Sequence, residues 1–259
     1  MGIRDAMYGQ AIGDALGVPY EFKPRGSFRC TGMTGYGTHD QPAGTWSDDT
    51  SMALATCDSY RELGRIDVDD MRRRFEHWLH DSKYTVGGVF DVGGTTARAL
   101  ESGHGMDGIR DNGNGSLMRI VPLAFMGASE ADVRNVSAIT HAHAISISCC
   151  KGMVDVATRL SEGQSVADVG HELVDASRDE AEIRSSGYVR DTFGAALWCL
   201  ATTSSYAECV LKAVNLGDDT DTTAAVAGAL AGIAYGADSI PGEWMSGLLG
   251  KDIIESCLF

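Results

Sequence analysis

Residues 221–236, DTTAAVAGALAGIAYG, constrain this chain more than any other stretch. The segment is built from alanine and glycine and carries almost no charge after Asp221. A helix with no polar face is buried on all sides. Glycine inside a helix costs about 0.5–1 kcal/mol relative to alanine. Gly228 and Gly232 are therefore expected to serve close packing rather than helix formation. Gly9, Gly13 and Gly17 fall at four-residue spacing in GQAIGDALGVPYEF, and they predict a second helix face that a neighbour approaches closely.

Helical periodicity dominates the rest. In DVDDMRRRFEHWLHD, Val68, Met71, Phe75, Trp78 and Leu79 share a face, and Asp67 with the acids after it suits the positive end of the helix dipole. TSMALATCDSYRELG reads as a helix closed by Gly64. Residues 130–163 predict two helices broken near His141–Ala144, and residues 165–180, 190–203 and 206–217 predict three more. Strand signals are few. CTGMTGYGTHDQPAGTW reads as an ordered glycine-rich loop with room for a short hairpin. No linker composition divides the chain, so the expectation is an all-α, single-domain orthogonal bundle of about ten or more helices over residues 1–259.

A net charge of −15 argues against binding a nucleic-acid backbone, which needs clustered Lys and Arg. The seven cysteines are odd in number and none is spaced as CxxC, so buried free thiols in a reducing compartment are expected. The charged N-terminus is unlike a signal peptide, and no apolar run is long enough to span a membrane. The expectation is a cytoplasmic protein.

Two acid clusters open apolar helices: Ser47, Asp48, Asp49 and Thr50, then Asp218, Asp219, Thr220, Asp221, Thr222 and Thr223. Adjacent carboxylates repel unless a proton or cation lies between them. All these side chains offer oxygen, which suits Mg²⁺, Mn²⁺ or Ca²⁺. Helix capping is the competing reading. An EF-hand is excluded, because loops starting at Asp218, Asp219 or Asp221 lack the central glycine and closing glutamate. DNGNGSLMRIVPLA, residues 111–124, reads either as an anion-binding nest before a helix near Ser116 or as a type I′ hairpin turn. DVGGTT, residues 91–96, places an acid and a flexible loop before a helix. His77 and His80 are read as packing residues, and Arg72–Arg74 as a solvated helix face.

In this order, GDALGVPYE (13–21), GTWSDDTSMALA (44–55), DVGGTT (91–96), GNGSLMRIVPLA (113–124), THAHA (140–144) and NLGDDTDTTAAVAGALAGIAYG (215–236) resemble the ADP-ribosylglycohydrolase family, of the dinitrogenase-reductase-activating type. The resemblance implies an orthogonal all-α bundle with two divalent cations, Mg²⁺ or Mn²⁺, at a cavity floor. It implies Ser47, Asp48, Asp49, Asp219, Asp221 and Thr222 as ligands. Glu21 and Asp91 would be the catalytic carboxylates, and Gly113, Asn114, Gly115 and His141 would contact substrate. The implied reaction is hydrolysis at the anomeric carbon of an ADP-ribosyl group carried by a protein or small-molecule conjugate. The rival readings are an inactive ADP-ribose or nucleotide binder of the same fold, and another metal-dependent nucleotide or phosphoester hydrolase. Ser47 stands where the family often has threonine, and Asp218 where it often has glycine; capping is the expected role of Asp218.

Overall fold

The two glycine-patterned segments pack on each other, and that contact organises the molecule. A computed structural model describes residues 1–259, the side chains at 170 and 171 excepted. Its α-helices are α1 (Ile3–Gly17), α2 (Asp48–Leu63), α3 (Val68–Asp81), α4 (Gly94–Ser102), α5 (Glu130–Ser137) and α6 (Ala144–Ser161) in the first part. They continue as α7 (Val166–Leu173), α8 (Val189–Ala201), α9 (Tyr206–Asn215), α10 (Thr220–Tyr235), α11 (Gly242–Gly247) and α12 (Lys251–Cys257). Isolated bridges take the place of sheet among the described residues. The fold is an all-α orthogonal bundle.

Helices α1 and α10 run antiparallel with their backbones in contact. A Cβ on Gly9 would lie 2.2 Å from the Gly228 carbonyl oxygen, and one on Gly13 would lie 2.1 Å from that of Ala224. One on Gly17 would lie 2.4 Å from the Asp221 Cα. No side chain fits at these positions, so glycine sets the separation of the two helices. Thr220 Oγ1 donates to the Gly17 carbonyl at 2.8 Å, which fixes the register at the end that carries the second acid cluster.

Helix α1 also holds the first cluster. Fully buried Asp14 accepts from the Ser47 and Thr50 amides at 2.9 and 3.0 Å and from the Thr50 hydroxyl at 2.6 Å. The free amides at the start of α2 are thus satisfied inside the protein, where an unmet donor would be costly. Gln10 Nε2 donates to the Asp49 and Met118 carbonyls at 3.0 and 2.9 Å. One helix therefore positions the starts of α2 and α10 and the turn at 117–119. Around it lies a core that includes Met52, Leu54, Met71, Phe75 and Trp78, all fully buried.

Gly64 closes α2 at φ +64°, and Asp67 caps α3 by accepting from the Asp70 amide, as the sequence predicts. All seven cysteines are free and buried. Three expectations need correction. The helix within 165–180 stops at Leu173, because DASRDE prefers turns with Asp175 bonded to its own chain two residues on. Arg74 is not on a solvated face: it is largely buried and pairs with Asp58 and Asp70, while Arg72 donates to the Ile139 carbonyl. Residues 111–124 form no hairpin with each other; Gly113 instead bridges to Tyr188, and a short 3-10 turn spans Leu117–Arg119.

Candidate active site

The starts of α2, α4 and α10 converge on a cavity of about 370 Å³. Glu21, Asp48, Asp91, Asn114, His141 and Asp219 are among its lining residues. The α1–α10 contact brings Glu21, just beyond the C-terminal end of α1, beside the N-terminal end of α10. The Phe22 amide donates to the Asp218 carbonyl at 2.7 Å, and the Asp218 amide donates to the Lys23 carbonyl at 2.9 Å. These two bonds lock the segments side by side.

Three floor aspartates share a pattern. Asp49 Oδ2 accepts from Ser47 Oγ at 2.9 Å and Thr222 Oγ1 at 3.3 Å, while its Oδ1 has no partner. Asp219 Oδ2 accepts from Asn114 Nδ2 at 2.8 Å, and its Oδ1 is bare. Asp221 Oδ1 accepts from the Thr222 amide at 2.9 Å, and its Oδ2 is bare. A buried carboxylate oxygen without a donor is expensive unless a cation meets it. Each acid is thus oriented through one oxygen and presents the other.

Two groups of side chains can close on a cation. Asp14, Asp49 and Asp221 bring one oxygen each within 4.8 Å of one another, and so do Glu21, His39, Asp91 and Asp221 with one ligand atom each. Both oxygens of Asp14 are already engaged by α2, so it serves as scaffold. The remaining bare oxygens and hydroxyls are hard donors, and this set fits a hard divalent cation. Asp48 and Asp219 lie outside the two tight groups and line the cavity, as do Glu21, Asp91 and Thr222; Ser47, Asp49 and Asp221 are not among its lining residues. Asp218, expected as a cap, is exposed at φ +60°. The N-cap position of α10 belongs to Asp219, whose side chain makes no capping bond.

Without a cation these acids hold protons strongly. Burial pushes Asp48, Asp49 and Asp221 well above the usual carboxylate range, and neighbouring carboxylates add to it. Burial raises Asp91 and Asp219 too, although the Asn114 bond opposes the shift at Asp219. Glu21 is pushed up to about 7, chiefly by burial, against the opposing bond from His39.

The cavity wall supplies neutral donors. Arg119 Nη2 donates to Thr140 Oγ1 at 2.7 Å, and Thr140 Oγ1 shares a hydrogen bond with His141 Nδ1 at 2.9 Å. The tautomer in which Thr140 donates places the hydrogen of His141 on Nε2, beside Gly113 and Gly115. Burial, with Arg119 and Arg98 nearby, lowers the imidazole to about 3 and keeps it neutral. A Cβ on Gly115 would lie 2.8 Å from His141 Cε1, so glycine is required for this close approach. Both amide hydrogens of Asn114 are spent, on Asp219 and on Thr192 Oγ1 at 2.9 Å. Its side chain faces the cavity as an acceptor. The Asn114 backbone amide is also taken, by the Gly187 carbonyl at 3.1 Å, so it adds nothing to an anion nest.

Sequence reasoning missed Asp14 and His39. Asp14 had a signal, as the single charged residue of the glycine-patterned stretch GQAIGDALGVP, residues 9–19. His39 had none, because nothing in a glycine-rich loop tells which residue will fold back onto Glu21.

The family profile described as ADP-ribosylglycohydrolase matches residues 2–258. The chain is 35% identical over 272 residues to ADP-ribosylarginine hydrolase Tri1 of Pseudomonas putida (strain GB-1), covering 93% of this chain and 72% of that protein. It is 34% identical over 267 residues to the ADP-ribosyl-[dinitrogen reductase] glycohydrolase of Rhodospirillum rubrum, covering 94% and 88%. A solved structure described as an ADP-ribosylglycohydrolase-related protein complex superposes with a TM-score of 0.80 at 31% identity, covering 97% of this chain and 94% of that one. The crowded acids, their bare oxygens and the helical frame therefore have one common explanation: the chain belongs to the ADP-ribosylglycohydrolase family of metal-binding hydrolases.

Proposed function

We propose that this chain, acting as one domain over residues 1–259 in the cytoplasm, hydrolyses the N-glycosidic bond between ADP-ribose and an arginine side chain. The observation that carries this reading is the meeting of two acid clusters, from residues 47–49 and 219–222, with one oxygen of Asp49, Asp219 and Asp221 left bare. Ser47, Asp48, Asp49, Asp219, Asp221 and Thr222 would hold two Mg²⁺ or Mn²⁺ ions. Such ions supply Lewis-acid charge that neutralises the acids and holds and polarises sugar oxygens.

The protein's own groups do the rest. Cleavage at the anomeric carbon develops positive charge on the ribose ring. Asp91, half-buried and lining the cavity, stabilises that charge. Glu21 accepts the proton of the attacking water. His141 Nε2–H and the Asn114 side-chain oxygen orient ADP-ribose. The free amides at the start of α4, which opens on the cavity at Gly94–Thr96, receive pyrophosphate in an otherwise acidic protein. Phe22 is 67% exposed at the cavity edge beside Glu21 and Asp91, and an aromatic face next to acids suits a planar guanidinium. The two relatives named as ADP-ribosylarginine hydrolases, each at least 34% identical, support the same acceptor.

The test is incubation with ADP-ribosyl-arginine, ADP-ribosyl-serine and O-acyl-ADP-ribose, with and without Mg²⁺, followed by mass spectrometry. Free ADP-ribose and unmodified arginine are expected. Binding without turnover would reduce the protein to a reader of ADP-ribose, and released AMP or phosphate would make it a phosphoester hydrolase.

A further inference from the structure

We propose that His39 is a positioning residue for the reaction, holding the Glu21 carboxylate so that a single oxygen faces the cavity; this rests on the functional reading above. His39 Nε2 bonds to Glu21 Oε2. Glu21 Oε1 has no hydrogen-bond partner among the described residues, although Glu21 is only 4% exposed. Glu21 lines the cavity and His39 does not, so the imidazole, though its ring nitrogen is within 4.8 Å of oxygens of Asp91 and Asp221, meets the cavity through the Glu21 carboxylate it bonds.

The loop around His39 is built to hold this contact. Thr38 Oγ1 donates to the Glu21 carbonyl at 2.7 Å, so adjacent residues grip Glu21 by backbone and side chain together. Gly37 sits where a Cβ would lie 2.1 Å from the Pro19 carbonyl oxygen, pressing the loop onto the end of α1. Gln41 Nε2 donates to the His39 carbonyl at 3.0 Å. The short turn Gly37–His39 is flanked by Tyr36 at φ +65° and Asp40 at φ +51°, conformations that side chains rarely adopt and that persist where the surroundings over-determine them. The ring itself is held between Phe22 and Phe90, with centroids at 6.0 and 5.3 Å. A general base works only when its free oxygen is directed at the water it deprotonates. One carboxylate oxygen tied back and one left bare is the arrangement that does this.

The test compares His39→Ala, His39→Phe and His39→Gln with Mg²⁺ and ADP-ribosyl-arginine. Removing a partner that orients a metal ligand typically costs about 10–100-fold, and a loss of that order is expected for one that orients a base. His39→Ala and His39→Phe are expected to lower kcat by that factor, with KM within about twofold. His39→Phe keeps the aromatic packing and lacks the N–H, so it decides the matter if His39→Ala fails to fold. His39→Gln places a donor in nearly the same position and is expected to recover at least about a third of wild-type kcat. In the Glu21→Gln background, His39→Phe is expected to add no further loss. Crystal structures of the variants lacking the donor should show the Glu21 carboxylate turned from its present direction. Unchanged kcat in His39→Phe, an additive loss with Glu21→Gln, or an unmoved Glu21 each overturns the proposal. If the wild-type protein releases no ADP-ribose from any conjugate, the functional reading fails, and the position of Glu21 in the variant crystals decides the role of His39 alone.

Discussion

The floor and the mouth of the cavity are built on opposite principles. The floor is regular helix: α1 and α10 meet through glycine and alanine, and α2 is tied to α1 through Asp14. The mouth is irregular loop. Phe22, Tyr36, Asp40, Asp91 and Asp218 all have positive φ, between +51° and +65°; Phe22 and Asp91 line the cavity, and the other three belong to the segments that hydrogen-bond to residues 21–23. Such backbone costs on the order of 1–3 kcal/mol per residue, more for Phe and Tyr than for Asp. The floor stores its tension as charge and the mouth stores its tension as conformation. A cation relieves the first; the second stays and keeps Glu21 and Asp91 aimed inward.

The largest expected effect comes from removing the counter-charge at the floor. Chelation should lower turnover by at least about 1,000-fold, near 4 kcal/mol of transition-state stabilisation, and Mg²⁺ or Mn²⁺ should restore it. Cations compete with protons for the same oxygens, so the rise in Tm on adding Mg²⁺ should be larger at pH 8 than at pH 5. Full turnover in chelator would dissolve the distinction between floor and mouth. Next comes the α1–α10 contact. Gly13→Ala adds a methyl 2.1 Å from the Ala224 carbonyl oxygen, which backbone cannot yield without separating the helices. The expected cost is about 3 kcal/mol by urea unfolding. A loss below about 0.5 kcal/mol would mean that the helices slide apart freely.

This contrast also explains what the sequence made legible. The floor was readable because its signals are local: Gly9, Gly13 and Gly17 at one spacing, charge-free 222–236, and acids at two helix starts. Helical period converts spacing into faces without knowledge of the tertiary fold. Even there the pairing of α1 with α10 was not written in either segment, and Asp14 was passed over because its partners lie more than thirty residues on, at Ser47 and Thr50. The mouth was mostly illegible. His39 meets Glu21 through a loop whose path depends on Gly37 packing against Pro19, and Asp218 lost its expected capping role to a backbone exchange with Phe22 and Lys23. Long-range contacts of that kind leave no periodic trace. Arg74 was misread for the same reason, since Asp58 and Tyr84 bury it from other elements.

A smaller effect is expected where the two regions touch. Glu21→Gln keeps the size and the ability to pair with His39 but removes the base. Turnover should fall by about 100-fold, near 2.7 kcal/mol, while the Mg²⁺-dependent rise in Tm persists. Losing both together would move Glu21 from the mouth to the ligand set of the floor, which its place beside Asp91 and Asp221 makes a real alternative arrangement.

The smallest effect sharpens the comparison most. Phe22→Gly removes a 67% exposed ring from a residue at φ +64°. Glycine adopts that conformation at no steric cost but adds freedom to the unfolded chain, so the terms oppose and stability should change by less than about 1 kcal/mol. The same two residue classes thus give opposite results: a methyl gained at Gly13 breaks the floor, and a whole ring lost at Phe22 leaves the fold standing. The ring's contribution should appear in KM for an arginine-linked substrate, raised roughly 3–10-fold for a lost cation–π contact of about 0.7–1.4 kcal/mol. If unfolding in urea shows instead a loss above 2 kcal/mol, the aromatic is part of the scaffold, and the strain at the mouth is held by packing rather than by the paired backbone bonds between residues 22–23 and 218.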